Sequence, residues 1–511
     1  MKLGQLLKGI RIIREFQGRE LLSPDTAMYS LANNNDVKSI TADSRKCTRG
    51  SLFIAVRGAV TDGGKYVRDA IERGAQYIVC ENIPEEEEAP MRRGDRDLVV
   101  YIVVQSSREA EAKIAINNFS NPSKKLKLIG VTGTNGKTSI ATLLYNTFTA
   151  LGNKCGLIST IANYVVDKKI PTINTTPGPL ELNKLLSDMV DEGCSYCFME
   201  VSSHAIDQER VAGLKFAGGI FTNLTHDHLD YHKTFENYRN CKKQFFDSLD
   251  SEAFALTNID DRNGEFMVQN TKAQVHTYST RNIADFKTRI IEQSIDGMQL
   301  SINGTKIWCN FIGEYNAENL TAIYGAAILL GAPHDQVVKI MSSLRSVSGR
   351  LEYFRADDDI IAAVDYAHTP DALENVLKTL KALKPKGDLV CVFGCGGDRD
   401  KTKRPEMGAI ASNYADRIFV TSDNPRTEDP MTIIENIKAG MSADAVLKAK
   451  FIPDRIQAIQ NAITTARPGS IILVAGKGHE DYQIIGTEKH HMDDKETVKE
   501  AFRLRSDNNL R

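Results

Sequence analysis

The segment IGVTGTNGKTS, residues 129–139, constrains the fold more than any other part of the sequence. The apolar run KLKLIGV leads into it, and after it apolar residues recur at helical spacing, at Ile140, Leu143, Leu144, Phe148 and Leu151, before Gly152. The segment is therefore predicted to join a strand to the N-terminus of a helix, where free backbone N–H groups and the helix dipole favour phosphate.

The loop departs by one residue from the usual phosphate-loop spacing, G-x-x-x-x-G-K-S/T. Val131 stands where the first glycine is expected, and Gly130 comes one position early. The segment is a nucleotide switch, a variant loop with its own chemistry, or a chance glycine-rich turn. The G-K-T between strand and helix favours phosphate binding, in which Lys137 reaches the phosphates and Thr138 binds Mg²⁺.

Length and pattern predict an α/β protein of three domains. At roughly 150 residues per domain, 511 residues suggest about three. The predicted domains are a small α/β domain over residues 1–104, a central phosphate-loop ATPase domain over 105–345 and a C-terminal Rossmann-like domain over 346–511. In the last, four apolar strands alternate with helices, which predicts a parallel sheet.

The four C-terminal strands run into polar loops: DYAHTPD, GCGGDRDKTKR, SDNPRTEDP and GKGHEDYQ. The carboxyl ends of parallel strands meet at one edge of a sheet, and ligands of such sheets bind there. These loops are therefore predicted to form a binding edge.

Composition argues against several other classes of protein. The net charge of −2 gives no bulk attraction to nucleic acid. Nine cysteines in so long a chain do not make a disulfide scaffold, and Cys194 and Cys197, which form a single C-x-x-C, are predicted to be buried thiols. With no signal-peptide pattern and no apolar run near 18 residues, a reduced, soluble, cytoplasmic protein is expected.

Two further segments carry metal-ligand residue types. YCFMEVSSH is predicted to end a strand at Glu200, where a carboxylate could hold a metal near the phosphates. NLTHDHLDYH nearly matches the H-x-H-x-D-H of dinuclear zinc hydrolases, with His226, His228, Asp230 and His232, but its last histidine comes one residue late. Beside a phosphate loop Mg²⁺ fits better, so at most one histidine is expected to be a ligand and the others to face solvent.

In all these motifs the sequence resembles the ATP-dependent Mur ligases of bacterial cell-wall synthesis. The resemblance covers essentially the whole chain, and G-x-T-G-T-x-G-K-T/S is that family's own form of the phosphate loop. The motifs that carry it are TADSR, GVTGTNGKTS, NTTP, EVSSHAIDQERV, NLTHDHLDYH, GEYNAENLTAIYGAA, SGRLE, VDYAHTPDAL, GCGGDRDKTKRP, DNPRTEDP and AGKGHEDYQ.

The resemblance implies an amide ligase that uses ATP and Mg²⁺. ATP would phosphorylate the free carboxylate of UDP-N-acetylmuramoyl-L-Ala-D-Glu, and the amine of an incoming diamino acid would attack the acyl phosphate. Phosphorylation supplies a leaving group to a carboxylate that is inert to amines at pH 7, so that the protein mainly aligns and neutralises anions. No nucleic acid or membrane partner is expected, and the chain is expected to be a monomer.

The resemblance also implies roles for residues of the ATP half. The loop residues expected to hold ATP are Gly133, Thr134, Asn135, Gly136, Lys137 and Thr138. Asn316 is expected near adenine and Asp365 near ribose, with Arg350 also contacting the nucleotide. One Mg²⁺ would lie between Thr138 and Glu200, and a second between Glu200 and His228. Lys242 matches the lysine that the family carbamylates to make a metal-bridging anion, although the adjacent Lys243 leaves that register open.

The remaining roles implied by the resemblance concern the two other substrates. Ser44 is expected at the UDP end. The muramoyl-dipeptide is expected to be held by Thr175, Thr176, Ser202, Gln208 and Arg210. The amino-acid pocket is expected at Arg399, Asp423, Asn424, Pro425, Arg426, Gly476 and Glu480.

The DNPR sequence is the form seen in family members that use meso-diaminopimelate. A guanidinium can pair with the distal carboxylate of that substrate and Glu480 with its distal ammonium. The alternatives are the same ligase with L-lysine, a related ligase such as folylpolyglutamate synthetase, an ATP-driven switch, and an inactive homologue. Arg426 could also merely pair with Glu428 or Asp429 on a solvated loop.

Overall fold

The computed structural model describes residues 1–511 except 18–19, 23–34, 59–60, 86, 88–98, 357, 384 and 510–511. The chain divides into two compact units, each made of three segments. The first unit comprises Met1–Gly130, Asn153–Gly219 and Ser248–Ala253. The second comprises Val131–Gly152, Ile220–Asp247 and Phe254–Arg511.

A six-stranded sheet opens the first unit, in the order β2-β1-β6-β5-β4-β3. Strands β3 to β6 are parallel, and β1 runs antiparallel to β6 and β2. Alternate side chains of the parallel strands enter two buried clusters, as the two-residue period of a strand requires. The strands are β1 (Ile12–Gln17), β2 (Glu20–Leu22), β3 (Ser39–Thr41), β4 (Ser51–Ile54), β5 (Ala75–Cys80) and β6 (Val100–Val104).

The first unit also contains the next group of strands, in the order β10-β9-β8-β11-β7. They are β7 (Lys127–Thr132), whose last two residues belong to the second unit, β8 (Cys155–Ile158), β9 (Asn163–Val165), β10 (Lys168–Ile170) and β11 (Tyr196–Glu200). Strand β11 ends at Glu200, as predicted. The α-helices in the described part of this unit are Leu3–Leu6, Val67–Glu72, Ser107–Asn118, Pro179–Asp191 and Ser203–Asp207.

The second unit begins with the loop-bearing helix Lys137–Ala150, as the sequence predicts. Its first strands are ordered β12-β13-β14-β15-β16-β17. They are β12 (Gly218–Phe221), which starts in the first unit, β13 (Phe254–Asn258), β14 (Gln274–Ser279), β15 (Phe286–Ser294), β16 (Gly297–Ile302) and β17 (Thr305–Cys309). The accompanying helices are Leu229–His232, Phe235–Asp247, Gly264–Val268, Glu314–Leu329 and His334–Met341.

The C-terminal sheet of the second unit has the order β18-β19-β23-β20-β21-β22. All its strands are parallel except β18, which runs antiparallel to β19. They are β18 (Glu352–Arg355), β19 (Ile361–Asp365), β20 (Leu389–Phe393), β21 (Arg417–Val420), β22 (Ala449–Phe451) and β23 (Ile471–Ala475), followed by the hairpin β24 (Tyr482–Ile485) and β25 (Glu488–His491). The four predicted strands are therefore neighbours, and their polar loops share one edge.

Helices cover both faces of this sheet, so that its strands are buried on both sides, as parallel strands usually are. They are Pro370–Ala382, Lys403–Tyr414, Pro430–Lys438, Ala443–Leu447, Arg455–Thr464 and Asp494–Asn509. The helix that contains Pro405 begins at Lys403, because proline is tolerated in the first turn of a helix.

All nine cysteines are buried and free, which confirms the prediction for Cys194 and Cys197. Among the described residues, no helix is long and apolar enough to cross a membrane.

Candidate active site

The glycine-rich loop adopts a backbone that only glycine fits at two positions. Gly133 has a φ of +149° and Gly136 a φ of +87°. A Cβ on Gly133 would lie 1.9 Å from the hydroxyl oxygen of Thr222, and a Cβ on Gly136 would lie 2.6 Å from the amide oxygen of Asn319. The loop therefore packs closely against its neighbours at the helix N-terminus, where backbone N–H groups favour an anion.

Two lysines converge on this loop. Lys137 Nζ donates hydrogen bonds to the carbonyl oxygens of Gly133 (2.9 Å) and Thr134 (2.7 Å). Lys242 Nζ, which is fully buried, donates to the same Gly133 carbonyl at 2.8 Å. The loop is thus flanked by the amino groups of two lysines.

The neighbouring lysines of the helix Phe235–Asp247 differ in environment. Burial, and then the charge of Lys137, hold the pKa of Lys242 well below its usual range. Lys243 instead pairs with Asp247 at 2.5 Å, one turn along the same helix. Of the two, it is Lys242 that the structure brings to the loop.

A cavity of about 590 Å³ adjoins the loop within the second unit. Its walls include Asn135 and Gly136 of the loop together with the three predicted nucleotide contacts, Asn316, Arg350 and Asp365. This volume lies within the usual range for small-molecule sites. The structure therefore places these predicted residues around one cavity.

The polar groups of this cavity are held by specific hydrogen bonds. Asp365 accepts from the backbone N–H groups of Leu351 (2.7 Å) and Ala367 (2.8 Å), and burial raises its pKa although Arg350 opposes the shift. Arg350 donates to the Thr138 hydroxyl at 3.0 Å. Thr138, which is expected to bind Mg²⁺, is thereby hydrogen-bonded to a side chain that lines the cavity.

Sequence reasoning did not single out three residues of this region. Asp371 accepts a hydrogen bond from Asn135 Nδ2 at 2.9 Å. The Tyr366 ring lies 4.6 Å from the guanidinium of Arg350. Asp371 and Tyr366 belong to the loop DYAHTPD, which the sequence analysis predicted to lie at the binding edge. The pattern of polar loops after strands could therefore have identified both residues. The third, Asp227, lies between His226 and His228.

Asp227 is a largely buried carboxylate. Burial alone would raise its pKa, but the charges of His228, His368 and Lys403 outweigh that effect and hold the pKa at about 2. Because His368 and Lys403 come from the C-terminal loops, no short motif could have revealed this cluster.

The histidine segment does not form a zinc-type cluster. His226 Nε2 lies 3.1 Å from a carboxylate oxygen of Asp400, whereas His232 is buried against Tyr238. Within the described residues, no three His, Cys, Asp or Glu side chains come together as a metal site. The expectation that His232 faces solvent was wrong, because it ends a short helix that packs inward.

The predicted dipeptide-binding residues lie together in the first unit. Thr176 donates to the Glu200 carbonyl at 2.8 Å, and Arg210 donates to the Thr176 carbonyl at 2.8 Å. The same network includes the side-chain hydrogen bonds from Thr160 to Thr175, from Thr176 to Ser202 and from Arg210 to Gln208.

Glu200, also in the first unit, is fully buried, and its carboxylate accepts from the backbone N–H of Thr160 at 2.7 Å. Ser44 lies in the six-stranded part of the same unit, where its side chain hydrogen-bonds Asp69 and lowers the pKa of that carboxyl.

The predicted amino-acid pocket forms at the edge of the C-terminal sheet. Arg426, directly after Pro425, has a φ of +52°, and its guanidinium donates to the Gly397 carbonyl at 2.8 Å. Its backbone N–H and C=O pair with Ile484 and Gly486 of the following hairpin. A non-glycine residue held in this conformation is strained, and such strain concentrates at functional sites.

Arg426 does not pair with Glu428 or Asp429 on a solvated loop, the alternative left open by the sequence. Glu428 pairs with Arg404 (2.9 Å) and Lys401 (3.2 Å), and Asp429 caps the next helix by accepting from Thr432 N–H. The carboxylates that would have neutralised Arg426 are therefore occupied elsewhere.

The acidic side chains of the predicted pocket contact residues of the neighbouring loops. Asn424 Nδ2 donates to Glu480 Oε2 at 3.0 Å. Gly476 has a φ of +118°, and a Cβ there would lie 2.7 Å from a carboxylate oxygen of Asp423. Arg399 donates to the neighbouring Asp398 carbonyl, and the charge of Arg399, after burial, lowers the pKa of Arg426. The structure thus gathers all seven predicted pocket residues at one edge.

Three family models match the chain in order. They are described as the Mur ligase family catalytic domain, over residues 36–119, the Mur ligase middle domain, over 131–327, and the Mur ligase glutamate ligase domain, over 349–478. The predicted α/β fold of three domains is thereby confirmed.

Relatives named UDP-N-acetylmuramoyl-L-alanyl-D-glutamate–2,6-diaminopimelate ligase match most of the chain. The protein from Bacteroides thetaiotaomicron is 52% identical over 91% of this chain and 95% of its own. That from Phocaeicola vulgatus is 50% identical over 98% of this chain and 99% of its own.

Two solved structures are also similar. One, titled as a UDP-N-acetylmuramoyl-L-alanyl-D-glutamate–2,6-diaminopimelate ligase, is 30% identical, with a TM-score of 0.65 over 97% of this chain and all of the other. The folylpolyglutamate synthase of Mycobacterium tuberculosis is 18% identical, with a TM-score of 0.57 over 73% of this chain and 92% of the other, and this likeness shows the fold alone.

Proposed function

The chain belongs to the Mur ligase family, and we propose that it is the ATP-dependent ligase that joins meso-diaminopimelate to UDP-N-acetylmuramoyl-L-alanyl-D-glutamate in peptidoglycan precursor synthesis. The observation that carries this proposal is the cluster of predicted pocket residues at the C-terminal edge, where the charges of Arg399 and Glu480 both act on Arg426. A substrate whose distal end bears both a carboxylate and an ammonium complements that arrangement. The names of the relatives agree with it.

The reaction begins with transfer of the γ-phosphoryl group of ATP to the D-glutamate carboxylate. The backbone of residues 133–138 and the ammonium of Lys137 would hold and neutralise the phosphates. Asn316, Arg350 and Asp365 would hold the nucleoside in the adjoining cavity. The diamino acid's amine then attacks the acyl phosphate, and phosphate leaves. Most of the rate enhancement comes from alignment and charge neutralisation.

Mg²⁺ fits the donors of this chain, although they form no closed protein cage. Magnesium in phosphoryl-transfer enzymes is held by one or two carboxylates and by substrate phosphates. The Thr138 hydroxyl and the Glu200 carboxylate would hold one ion, and Glu200 with His228 a second. When bound, Mg²⁺ would offset the negative charge on the phosphate oxygens.

We also propose that Lys242 is carbamylated. Its lowered pKa favours the neutral amine, which is the form that reacts with carbon dioxide. The resulting anion would be attracted to the ammonium of Lys137, whose side chain contacts the same loop carbonyl. It would also provide oxygen atoms for the second Mg²⁺.

Separate sets of residues would hold the other substrates. Ser44 would contact the UDP end of the nucleotide sugar. The linked residues Thr175, Thr176, Ser202, Gln208 and Arg210 would hold the muramoyl-dipeptide. Arg399, Asp423, Asn424, Pro425, Arg426, Gly476 and Glu480 would form the pocket for the incoming amino acid.

The proposal includes the organisation of the chain. We place the domain boundaries at residues 104/105 and 345/346. Because the reaction consumes ATP, we place the enzyme in the cytoplasm. We also propose that it acts as a monomer, which light scattering after size-exclusion chromatography would test.

An ADP-release assay with the muramoyl-dipeptide and a panel of amino acids tests the function. ADP release is expected only when both the dipeptide and a diamino acid are present, and the product should be a tripeptide. The rate of ADP release should be much higher with meso-diaminopimelate than with L-lysine. ADP release that ignores the dipeptide would indicate an ATP-driven switch. Ligation to a folate substrate would indicate the other ligase.

A further inference from the structure

Lys477 is a buried lysine to which the proposed reaction gives no role. It follows strand β23 by two residues and is completely shielded from solvent. Its Nζ donates to Glu480 Oε2 at 3.1 Å and to Asn424 Oδ1 at 3.2 Å. Burying a charged ammonium is costly unless it is paired, so this contact network is a built feature of the pocket.

The ammonium of Lys477 fixes the orientation of the Asn424 side chain. Asn424 Oδ1 also accepts from the backbone N–H of Ile484 at 2.9 Å. With two donors on its oxygen, the amide has to direct its nitrogen to Glu480, to which Nδ2 donates at 3.0 Å. Asn424 is therefore engaged in holding Glu480.

The Glu480 carboxylate is consequently held by three donors. Oε2 accepts from Lys477 and Asn424, and Oε1 accepts from the Tyr366 hydroxyl at 3.3 Å. The carboxylate is positioned before any substrate arrives, and one of its oxygens already faces a fixed positive charge. Lys477 bonds to Oε2, whereas Oε1 is bonded by the neutral Tyr366 hydroxyl.

The charge of Lys477 changes what the pocket can accept. Arg426 and Arg399 repel one another there, which contributes, after burial, to the lowered pKa of Arg426. A distal carboxylate would relieve that repulsion. A lone distal ammonium would meet the two guanidiniums without bringing an anion, and would find Glu480 already paired.

We infer that Lys477 is a positioning residue that determines specificity: it holds Glu480 and offsets its charge, so that the pocket accepts a zwitterionic distal centre and rejects a lone ammonium. This inference rests on the proposed function. Without Lys477, the largely buried Glu480 carboxylate would lose the ammonium paired with it and would attract the ammonium of L-lysine more strongly.

The test compares kcat/KM for meso-diaminopimelate and for L-lysine in Lys477→Met. The ratio of the two values is expected to fall by about tenfold or more, since a charge pair at this range is worth more than one factor of ten. The change should appear in KM for the amino acid, whereas KM for ATP should stay unchanged. Lys477→Gln, which keeps hydrogen-bonding groups but no charge, is expected to shift the ratio in the same direction and guards against misfolding of the methionine variant.

Lys438→Met is the matched control. Lys438 and Glu435 form an ion pair with the same three-residue separation, but on an exposed helix surface. The ratio of kcat/KM for meso-diaminopimelate to kcat/KM for L-lysine should be the same in Lys438→Met as in the wild type. If both Lys477 variants slow the two amino acids equally, Lys477 is merely structural and this inference is overturned. A wild type that ligates neither amino acid overturns the proposed function as well.

Discussion

Two adjacent lysines on one helix have different partners: Lys242 contacts the Gly133 carbonyl of the loop, and Lys243 pairs with Asp247. Lys242→Ala is expected to be almost inactive, because it removes the group proposed to carry the carbamate. A small carboxylate such as acetate or formate should restore part of the activity by supplying the missing anion. Steady-state ADP release with and without added carboxylate measures both effects.

Lys243→Ala is the matched control for that experiment. It removes a pair with Asp247 on the same helix and a contact with the Phe266 ring, 5.7 Å from the Lys243 nitrogen, and neither contact involves the glycine-rich loop. Its turnover should stay near that of the wild type. If Lys243→Ala were inactive and Lys242→Ala active, the carbamate assignment would be wrong by one residue.

The second prediction concerns the guanidinium of Arg426, which is proposed to pair with the distal carboxylate of meso-diaminopimelate. Losing one partner of a buried charge-assisted pair costs roughly 2–5 kcal/mol, which corresponds to about 30-fold to several-thousand-fold in kcat/KM. Arg426→Ala should lose that much activity with meso-diaminopimelate without gaining activity with L-lysine, because the rest of the pocket stays charged. Kinetics with both amino acids decide this.

Arg417→Ala serves as the control for Arg426. Arg417 lies on β21 and donates to Thr465 at the protein surface. Its loss should leave both amino acids unaffected. Equal use of the two amino acids by the wild type, or equal slowing of both by Arg426→Ala, would contradict the specificity assignment and leave the ligase assignment standing.

At the residue scale, the sequence predicts groups that sit in short motifs. Lys137 and Thr138 follow from the glycine loop, and the DNPR run points to Arg426. The sequence does not reveal partners that come from distant segments. Lys477 is an example, since its contact with Asn424 joins residues 53 positions apart, and no local pattern shows which groups burial will bring together.

At the scale of elements, the C-terminal sheet follows from its sequence for a physical reason. Continuous apolar runs are what a strand buried on both faces requires, and β19, β20, β21 and β23 all have them. The strand order does not follow, because β23 inserts between β19 and β20, and runs of similar hydrophobicity do not specify their neighbours.

A buried ion pair joins helices to the binding edge. Arg455 pairs with Asp494 at 2.7 Å, and the same guanidinium donates to the carbonyls of Ser422 and Ala475. Those carbonyls directly precede the loops that carry Asp423 and Gly476. The pair therefore connects two helices to the two strand ends that present the amino-acid pocket.

Arg455→Met is expected to destabilise the protein by roughly 3–5 kcal/mol, because it leaves Asp494 charged and buried without a partner. The midpoint of urea unfolding, followed by circular dichroism, should fall accordingly. The double variant Arg455→Met/Asp494→Leu should recover part of the loss, since no unpaired charge remains. Arg503→Met, which breaks an exposed pair with Glu500, should change the stability by at most about 1 kcal/mol. If Arg455→Met and Arg503→Met lowered the stability equally, the Arg455–Asp494 pair would not hold the two strand ends as described.

At the scale of the whole molecule, sequence segments and compact units differ. The family models follow the chain in three consecutive blocks. Each compact unit instead takes three separate segments, and residues of the central block contribute to both. Chain order indicates the domains of the family, whereas compactness depends on contacts between distant segments, which no sequence pattern reports.

Nucleotide binding should stabilise the molecule as a whole. A ligand that binds only the folded state adds RT ln(1 + [L]/Kd), which is about 2.7 kcal/mol at 100 times Kd. A non-hydrolysable ATP analogue with Mg²⁺ should therefore raise the thermal midpoint of the wild type. Lys137→Ala should stay folded without nucleotide, because alanine is a strong helix former at the start of the helix Lys137–Ala150. With the analogue its shift should largely vanish, and its turnover should be abolished.

Lys184→Ala provides the comparison for Lys137→Ala. Lys184 pairs with Asp188 on an exposed helix face of the first unit, and removing it should preserve both the nucleotide-induced shift and the turnover. A Lys137→Ala protein that kept both would exclude the glycine-rich loop as the phosphate site. A variant that kept the shift but lost turnover would restrict Lys137 to the transfer step, because its charge would then be needed only where negative charge develops on the moving phosphoryl group.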